Sequence, residues 1–528
     1  MMPETVIERR WGTDIVREIL GGHPCQVYRD RPRALSDLLI DAQRWDDRVL
    51  LVQGERRLTG KDHLAAVARV AETLRQRGVR PGDTVLLQGF NHIEWVVAFW
   101  ALQCIGATVA LGNAWWSELE TQSALHLTRP RLLIRERMPE ATLRVSCDTL
   151  LFSELRGIVD AGEDVALRVD PVAEEACAVV IFSSGTTGQA KGAMMSHRAV
   201  IANIHNLLRM TGRLPDDLDD THPGTVNLVT MPLFHQGGMQ ISLMTLLTGG
   251  RIVFLRGRFD PVEVLQLMQD EKVRAWGSVP TMVSRVVMHP EFASFDTSSV
   301  ASIQMGGAPI PYELRAQVKA CFPASGKRVG SMYGLTETGV VATGVSADVE
   351  GRPGCVGRPL PAAEIRIAAP NAEGVGEIQV RSASATTGYL GDPTPIGDAE
   401  GWIASGDLGR FDDEGRLYVV GRAKDMIIRG GENVASAHVE RCLRTHPAVA
   451  EAAVVPLPHA DLGEEVAAVV VFRPGAQATA DALREHALAH LAKFEVPSRW
   501  WLRRDALPTN ATGKVLKRQL TDEWPEEA

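Results

Sequence analysis

The sequence lacks the features that would assign it to a disulfide-rich, zinc-binding or nucleic-acid-binding class. Its cysteines show no paired CxxC spacing, which argues against a disulfide or zinc framework and indicates reduced thiols. The net charge is -9, so neither a nucleic acid nor an anionic membrane is an expected partner. The cysteines are scattered along the chain: Cys25, Cys104, Cys147, Cys177, Cys321, Cys355 and Cys442.

Signals for secretion or membrane insertion are also missing. The first residues, MMPETVIERRWGTD, are polar and charged and contain no apolar signal core, so we expect a cytoplasmic protein. One uncharged segment, Trp95–Ser117, is long enough to cross a bilayer, but it contains glycines and polar residues. We predict a buried helix at about Ile93–Ile105 and a strand at Ala107–Leu111 in place of a membrane span.

Most of the chain alternates short β-rich apolar runs with helical patterns. In DHLAAVARVAETLRQRG, for example, Leu64, Val67, Val70 and Leu74 fall on one helical face, and the strand-like TVLLQG follows from Thr84. A chain of 528 residues has room for roughly three domain-sized units. Together these observations predict an α/β fold, with layered and mainly parallel sheets in a large N-terminal domain.

The pattern of predicted helices and strands changes toward the C-terminus. From about Gly357, short strands with glycine-rich turns predict a small β subdomain. The last hundred or so residues then combine two strands with helices at Ala437–Arg444 and Ala480–Ala492, which predicts a small α+β domain able to fold alone. We place the boundary between residues 1–423 and residues 424–528.

The stretch FSSGTTGQAKG, from Phe182 to Gly192, is rich in glycine and small hydroxyl residues. Such a loop can direct several N–H groups, hydroxyls and one ammonium toward a single polyphosphate. A plain flexible loop is the alternative. The P-loop of kinase-like NTPases is excluded, because Gly192 follows Lys191 where that motif needs Ser or Thr. A strand precedes the loop and a helix follows Ser196, so we expect the loop at a helix N-terminus.

Two further clusters would complement a phosphate loop. MYGLTETG contains Tyr333, Thr336 and Glu337, which could supply a ring for base stacking, a phosphate donor and a magnesium ligand. In isolation the same residues would be a turn beside a buried tyrosine. The segments SGDLG and VGRAKD place Asp407 fifteen positions before Arg422, a pair that could clamp ribose hydroxyls. An isolated Asp in a glycine turn is otherwise an Asx-type cap.

The fourth cluster is PTNATGKVLKR, where Lys514 follows a Thr-Gly turn; alone it would be a solvated surface charge. Together the clusters resemble the superfamily of acyl-adenylate-forming enzymes, which includes acyl-CoA synthetases, luciferases and the adenylation domains of peptide synthetases. The resemblance runs from about Ser36 to Gln519 and rests on SSGTTGQAKG, YGLTET, SGD, GRAKD, GGENV and TGK. One departure is Ala190, where members usually have proline, which affects loop stiffness more than chemistry.

The resemblance implies ATP, Mg²⁺ and coenzyme A as ligands and assigns residues to each. The implied phosphate loop comprises Ser183, Ser184, Gly185, Thr186, Thr187, Gly188 and Lys191. The implied adenine site comprises Gly306, Gly307, Ala308, Tyr333 and Gly334. The remaining implied roles are Thr336 at the α-phosphate, Glu337 at magnesium, Asp407 and Arg422 at the ribose, Lys424 as hinge, Lys514 as catalytic lysine, His235 beside the acyl pocket, and Gly430 and Gly431 along the pantetheine arm. As a lone histidine in an apolar run, His235 could equally be a core residue.

The implied activity is that of an AMP-forming acyl-CoA synthetase. We predict a hydrophobic carboxylic acid as substrate, with a medium- to long-chain fatty acid favoured and aryl acids second. Transfer of the acyl group to a carrier protein or an amine is the alternative. A nucleotide-binding protein without catalytic turnover is disfavoured, because such a protein should have lost Lys514 or Glu337, and both are present. The sequence is also compatible with a homodimer. The predicted pocket walls are mostly apolar: Asn113–Trp116, His235–Met239, Gly277–Thr281, Met305–Gly307 and Met332–Gly334.

Overall fold

A computed structural model of the chain describes residues 10–137, 143, 145–183, 191–308, 310–430, 432–510 and 513–525. The α-helices in this part are α1 (Leu35–Asp41), α2 (Gly60–Gln76), α3 (Ile93–Ile105), α4 (Glu118–Thr128), α5 (Phe152–Val159), α6 (His197–Thr211), α7 (Gln236–Leu247), α8 (Pro261–Asp270), α9 (Pro280–Val287), α10 (Tyr312–Cys321), α11 (Ser346–Val349), α12 (Ser436–Arg444), α13 (Ala480–His490) and α14 (Lys517–Asp522).

The strands of the same part are β1 (Ile15–Leu20), β2 (His23–Tyr28), β3 (Val49–Gln53), β4 (Arg56–Thr59), β5 (Thr84–Gln88), β6 (Thr108–Gly112), β7 (Leu132–Arg135), β8 (Asp148–Leu151), β9 (Cys177–Ser183), β10 (Lys191–Ser196), β11 (Val226–Val229), β12 (Arg251–Phe254), β13 (Ala275–Ser278), β14 (Ser302–Gly306), β15 (Val329–Leu335), β16 (Gly339–Gly344), β17 (Cys355–Pro359), β18 (Ala363–Ala368), β19 (Gly376–Ser382), β20 (Ile403–Phe411), β21 (Leu417–Arg422), β22 (Met426–Arg429), β23 (Glu432–Ala435), β24 (Val449–His459), β25 (Gly463–Phe472) and β26 (Arg499–Arg503).

The large domain contains two extended sheets flanked by helices, as predicted. One has six strands in the order β10-β9-β6-β5-β7-β8, and the other has thirteen strands in the order β18-β19-β20-β21-β17-β16-β15-β14-β13-β11-β12-β3-β4. Neighbouring strands from β14 through β13 and β11 to β12 are parallel, as are β6, β5 and β7. Helices pack on these sheets because βαβ crossovers bury both sheet faces.

Helices α2 and α3 show how the sequence specifies this packing. The Thr59 side chain caps the start of α2 by accepting a hydrogen bond from the Asp62 N–H, and Val67, Val70 and Leu74 are fully buried along one face. Every residue of α3 is buried, and the helix ends at Gly106 in the left-handed region. The predicted buried helix is therefore confirmed, and β6 begins one residue later than expected. No helix in the described part is both long and apolar enough to cross a membrane.

One sequence-based expectation about connectivity is wrong, and one feature of the connectivity was not foreseen. The glycine-rich loop does not lead directly into a helix: it joins the antiparallel strands β9 and β10, and α6 begins only after the Ser196 cap. The predicted small β subdomain is continuous with the thirteen-stranded sheet, because β17 pairs with both β16 and β21. Both features depend on pairing between strands distant in sequence, which periodicity does not reveal.

The C-terminal segment forms its own five-stranded sheet from β22, β23, β24, β25 and β26. Helices α12 and α13 cover one face, where Val439, Leu443 and Leu483 are fully buried. Helix α14 lies against the other face, with Leu520 in a second cluster. This is the small α+β domain that the sequence predicts. The exact boundary after residue 423 stays a prediction.

Candidate functional site

Three of the predicted pocket segments lie at one edge of the thirteen-stranded sheet. Strands β11, β13, β14 and β15 are parallel neighbours, and Ser278 is paired with Met305 and Gly306 with Met332 at their carboxyl ends. Ligands of open α/β sheets bind outside the carboxyl ends of the strands. The chain therefore brings three of the predicted wall segments to the expected location.

Tyr333, Asp407 and Arg422 form one hydrogen-bonded cluster. The Tyr333 hydroxyl donates to Asp407 Oδ2 at 2.8 Å, and Arg422 Nε lies 2.7 Å from Asp407 Oδ1. Asp407 on β20 and Arg422 on β21 are direct partners in the ladder, which explains why residues fifteen positions apart meet. Burial, and then the Asp407 charge, raise the pKa of Tyr333, so its hydroxyl remains protonated.

The turn that carries Lys514 reaches across to the large domain. A β-bridge joins Thr509 to Val515, and Asn510 closes the turn by accepting the Lys514 N–H at 2.9 Å. Gly513 has a φ of 74°, and a Cβ on it would lie 2.5 Å from Thr281 Oγ1 of α9. Only glycine accommodates both the left-handed conformation and this close approach. The C-terminal domain therefore packs against α9 of the large domain, and Lys514 lies in the cleft between the two domains.

Lys514 occupies a strongly charged position there. Its side chain is still reached by solvent. Partial desolvation, followed by the positive charges of Arg422 and Lys424, nevertheless lowers the pKa of Lys514, while Asp425 and Asp407 oppose the shift. The predicted catalytic lysine therefore lies within the electrostatic range of the predicted ribose pair. Lys424, the predicted hinge, is exposed in the single 3₁₀ turn between β21 and β22.

A second cluster surrounds Glu337, and the sequence analysis missed one of its members. The Tyr389 hydroxyl donates to Glu337 Oε1 at 2.7 Å, and the same ring lies 4.9 Å from the Lys191 ammonium. Burial, and then the bond to Glu337, raise the pKa of Tyr389. The chain has only five tyrosines, so the one in TTGYLGD was a usable signal. Tyr389 links the end of the glycine-rich loop to the predicted magnesium ligand.

Buried polar groups hold the turn between β15 and β16, which carries Thr336 and Glu337. Asn203 Nδ2 donates to the Val340 carbonyl at 2.7 Å, and Gln240 donates to Asn203 Oδ1. Both side chains come from helices and are almost fully buried. A satisfied buried network of this kind fixes a loop more firmly than surface contacts can. These bonds therefore hold the end of this turn against α6 and α7.

His235 lies at the start of α7, next to this turn. A Cβ on Gly339 would lie 3.0 Å from Gln236 Nε2, which places the residue after His235 beside the turn. His235 Nε2 is buried and has no hydrogen-bond partner among the described residues. Desolvation lowers the pKa of His235 to about 4, so the imidazole is neutral near pH 7. A role for His235 beside the acyl pocket stays a prediction.

The remaining predicted residues have varied placements. Gly306 and Gly334 leave no room for a side chain, because a Cβ would meet the carbonyls of Met332 and Gly339, respectively. Gly307 has a φ of 77° and leads to Ala308 in a bend. Gly430 has a φ of 60° in the β22–β23 hairpin. Ser183 ends β9 opposite Lys191. Predictions for the following residues lie outside the described part: Ser184, Gly185, Thr186, Thr187, Gly188 and Gly431.

Comparison with known proteins identifies relatives over nearly the whole chain. A feruloyl-CoA synthase from Amycolatopsis sp is 34% identical over 479 residues, covering 88% of this chain and 94% of that protein. A long-chain-fatty-acid–CoA ligase from Bacillus subtilis is 27% identical and covers 96% and 98% of the two chains. The crystal structure of ATP-bound MatB from Rhodopseudomonas palustris superimposes with a TM-score of 0.84 at 27% identity, over 94% and 99% of the two chains.

Family models match both domains. The model described as AMP-binding enzyme matches residues 39–390, and the model described as AMP-binding enzyme C-terminal domain matches residues 438–514. The two matches follow the division between the large domain and the five-stranded C-terminal sheet. Together with relatives that are CoA ligases, they confirm the resemblance noted in the sequence. This chain belongs to the AMP-binding, acyl-adenylate-forming enzyme family, whose members among its relatives include CoA ligases.

Proposed function

We propose that this protein uses ATP to convert a hydrophobic carboxylic acid, through its acyl-AMP, into the coenzyme A thioester. One observation carries the proposal. The turn bearing Lys514 lies against α9 of the large domain, with its ammonium in the field of Asp407 and Arg422. A cation delivered to that position by a second domain suits a reaction between two anions, the carboxylate and ATP.

In the first half-reaction, a carboxylate oxygen attacks the α-phosphorus. The new bond makes acyl-AMP, and the bond from the α-phosphorus to the bridging oxygen breaks to release pyrophosphate. Lys514 would contact both the carboxylate and the α-phosphate, which holds the two anions together and stabilises charge in the transition state. It acts as a cation and not as a base. Lys191 and Thr336 would contact phosphate oxygens, while Asp407 and Arg422 would hold the ribose.

In the second half-reaction, the sulfur of coenzyme A attacks the acyl carbonyl. The thioester bond forms, AMP leaves with the electron pair of the carbonyl–oxygen bond, and the thiol proton passes to solvent. Lys514 must withdraw first, because its turn fills the side of the cleft next to α9. Rotation of the C-terminal domain about Lys424 would remove it and bring the Gly430 hairpin toward the acyl-adenylate.

The residues around Glu337 fit a magnesium ion. Mg²⁺ in nucleotide sites is held by one or two carboxylates together with phosphate oxygens and water. Glu337 supplies such a carboxylate, and its present partner is a neutral tyrosine hydroxyl that can exchange for a cation. When bound, the ion would neutralise phosphate charge. The Asn203 network would keep the turn that carries Glu337 in place.

We expect Glu337→Gln to raise the Mg²⁺ concentration needed for half-maximal acyl-AMP formation by at least ~10-fold, in line with what perturbing a metal site costs. Glutamine keeps the size and can still accept a hydrogen bond from Tyr389, so the melting temperature should change little. The measurement is a magnesium titration of pyrophosphate release. Tyr389→Phe is the matched control, because it removes the hydroxyl and leaves the carboxylate. An unchanged titration for Glu337→Gln would show that the carboxylate is not a ligand.

For the acid, we propose an aryl or similarly bulky hydrophobic substrate first, and a medium- to long-chain fatty acid second. This order reverses the sequence-based one. It is supported by a row of rings near the predicted pocket: Phe90 and Trp115 have centroids 4.9 Å apart, and Trp115 and Phe234 have centroids 5.5 Å apart. Edge-on rings of this kind suit a flat aromatic ligand. The feruloyl-CoA synthase relative points the same way, while the fatty-acid ligase relative keeps the second candidate open.

The test is a panel of acids assayed for pyrophosphate and AMP release. Cinnamate-type acids, benzoates and fatty acids of increasing length would each be supplied with ATP and Mg²⁺, with and without coenzyme A. We expect one turnover of pyrophosphate release without coenzyme A, and continuous AMP release only with it. Cinnamate-type acids should give the highest kcat/KM. AMP release that depends on an added amine or carrier protein, but not on coenzyme A, would overturn the proposed acceptor.

A further inference from the structure

Helices α12 and α13 bring three metal-binding side chains together, far from the nucleotide site in sequence and on a different domain. Cys442 Sγ and one ring nitrogen each of His486 and His490 lie within 4.8 Å of one another. The packing of the helices explains the meeting. Leu443 and Ala487 are fully buried in the shared core, and Cys442 and His486 are the residues immediately before them. His490 lies one turn beyond His486, on the same helical face.

The hydrogen bonds of the two histidines leave one nitrogen of each ring available. His490 Nδ1 lies 2.7 Å from the His486 carbonyl, which can only accept, so Nδ1 carries the proton and Nε2 has the lone pair. His486 Nε2 lies 3.1 Å from the Cys442 carbonyl and 2.8 Å from Thr445 Oγ1. The Thr445 hydroxyl already donates to that same carbonyl, so His486 Nε2 is the donor and Nδ1 has the lone pair.

This arrangement matches the way metal-binding histidines are usually held. The ring nitrogen that does not bind the ion commonly donates to a backbone carbonyl, which fixes the tautomer and the ring orientation. Both histidines here meet that condition before any ion is bound. The rings lie 4.6 Å apart between centroids. His446 is also near, but its Nδ1 accepts the Ala448 N–H at 3.2 Å, so its remaining nitrogen carries the proton and it is not counted as a ligand.

We infer that Cys442, His486 and His490 form a binding site for a thiophilic divalent metal ion, best suited to Zn²⁺, between the two helices of the C-terminal domain. One sulfur and two nitrogens exclude Mg²⁺ and Ca²⁺ and favour zinc, with a water molecule in the fourth position. Bonds to zinc are about 2.3 Å long from sulfur and 2.0–2.1 Å long from nitrogen, and donor atoms within 4.8 Å of one another can reach such an ion by small side-chain adjustments. His490 is exposed at the end of α13, so its ring can shift toward the ion while Nδ1 stays bonded to the His486 carbonyl.

Metal binding here must displace a proton. Burial raises the pKa of the Cys442 thiol, so the sulfur is protonated without a metal. On binding, the metal–sulfur bond forms as the S–H proton passes to solvent. The ion would join α12 to α13 over one face of the five-stranded sheet and so brace this domain. It is distinct in ligand chemistry from the hard, oxygen-based position at Glu337.

The experiment uses the full-length chain without a histidine tag, treated with a chelator and kept reduced in excess Mg²⁺. Titration with Co²⁺ alone is followed by absorption, because a cobalt–thiolate bond gives a charge-transfer band and tetrahedral coordination gives intense visible bands. We expect one equivalent of Co²⁺ to produce both features, and Zn²⁺ to remove them by competition. Zn²⁺ should also raise the melting temperature of the C-terminal domain.

Two variants test the proposed ligands, and a third serves as the control. Cys442→Ser should abolish the charge-transfer band, and His490→Gln should weaken Co²⁺ binding by at least ~10-fold. Because Cys442 is buried, its variant is checked by a melt; His490 is exposed, so its variant tests the site without disturbing the core. His126→Gln, an exposed histidine on α4, is the matched control and should bind like the wild type. Absence of the band in the wild type, or unchanged binding by His490→Gln, would overturn the proposal.

Discussion

Lys514→Ala is expected to slow acyl-AMP formation by about 100–1,000-fold, the usual cost of losing one preorganised charge contact in a transition state. Thioester formation from supplied acyl-AMP should remain largely intact, because Lys514 has left the cleft by then in the proposed cycle. The two half-reactions are measured separately: pyrophosphate release from acid and ATP for the first, and thioester formation from synthetic acyl-AMP and coenzyme A for the second.

The matched control is Lys493→Ala, which removes an exposed lysine from the same domain. It should leave both half-reactions unchanged, which separates the loss of a positioned charge from a general change in the charge of the domain. If Lys514→Ala slowed both half-reactions equally, the residue would have a structural role in the docked turn. The close contact with α9 is made by Gly513 and not by the Lys514 side chain. The melting temperature of the Lys514 variant should therefore match that of the wild type.

Lys424→Pro is expected to slow thioester formation far more than acyl-AMP formation, so that acyl-AMP accumulates in a mixture of acid, ATP, Mg²⁺ and coenzyme A. The structure has Lys424 in a 3₁₀ turn, whose φ is close to the value that proline imposes. The φ that proline imposes at position 424 therefore suits the docked state, whereas a swing that changes this φ is blocked. Forcing a residue into an unfavourable backbone region costs about 1–3 kcal/mol, which corresponds to roughly 5- to 150-fold in rate.

Lys424→Ala controls for the charge, since alanine removes the ammonium and keeps backbone freedom. It should retain a normal ratio between the two half-reaction rates. Proline also disfavours the helical conformation of Ala423, so a melt is needed to confirm that both domains stay folded. Equal slowing of the two steps with an intact melt would mean that Lys424 is an ordinary linker residue and that the domain turns about another point.

Local patterns predicted the elements well, and long-range pairing was harder to foresee. The bounds of α3 were predicted to the residue, because a run of apolar side chains ending at Gly106 has few alternatives. The hairpin of β9 and β10 was missed, because Lys191–Ser196 lacks a pattern that separates a strand from the start of a helix. The merging of the β subdomain with the main sheet through β17 depends on tertiary contacts that periodicity does not carry.

For the candidate site, too, local motifs were recognised from the sequence and contacts between distant segments were not. Motif resemblance picked out Tyr333, Asp407 and Arg422, and the ladder between β20 and β21 then brings the last two side by side. Tyr389 was missed because it lies outside the motifs that carry the resemblance, and its contacts to Glu337 and Lys191 arise only when the segment between β19 and β20 pairs with β10. The Cys442, His486 and His490 cluster was missed for a similar reason, since Cys442 lies more than forty positions before the two histidines along the chain.

Tyr333, Asp407 and Arg422 lie on one continuous sheet of the large domain, whereas Lys514 lies on a turn of the C-terminal domain, and this placement has a consequence for how the enzyme can be tuned. In the proposed cycle, contacts from the sheet persist from substrate to product and contribute to affinity. The contact from Lys514 is strongest only while charge redistributes, so it contributes to speed. Changes in the large domain would therefore alter the substrate concentration at which the enzyme saturates. Changes in the C-terminal turn would alter its maximal rate, and natural selection can adjust the two separately.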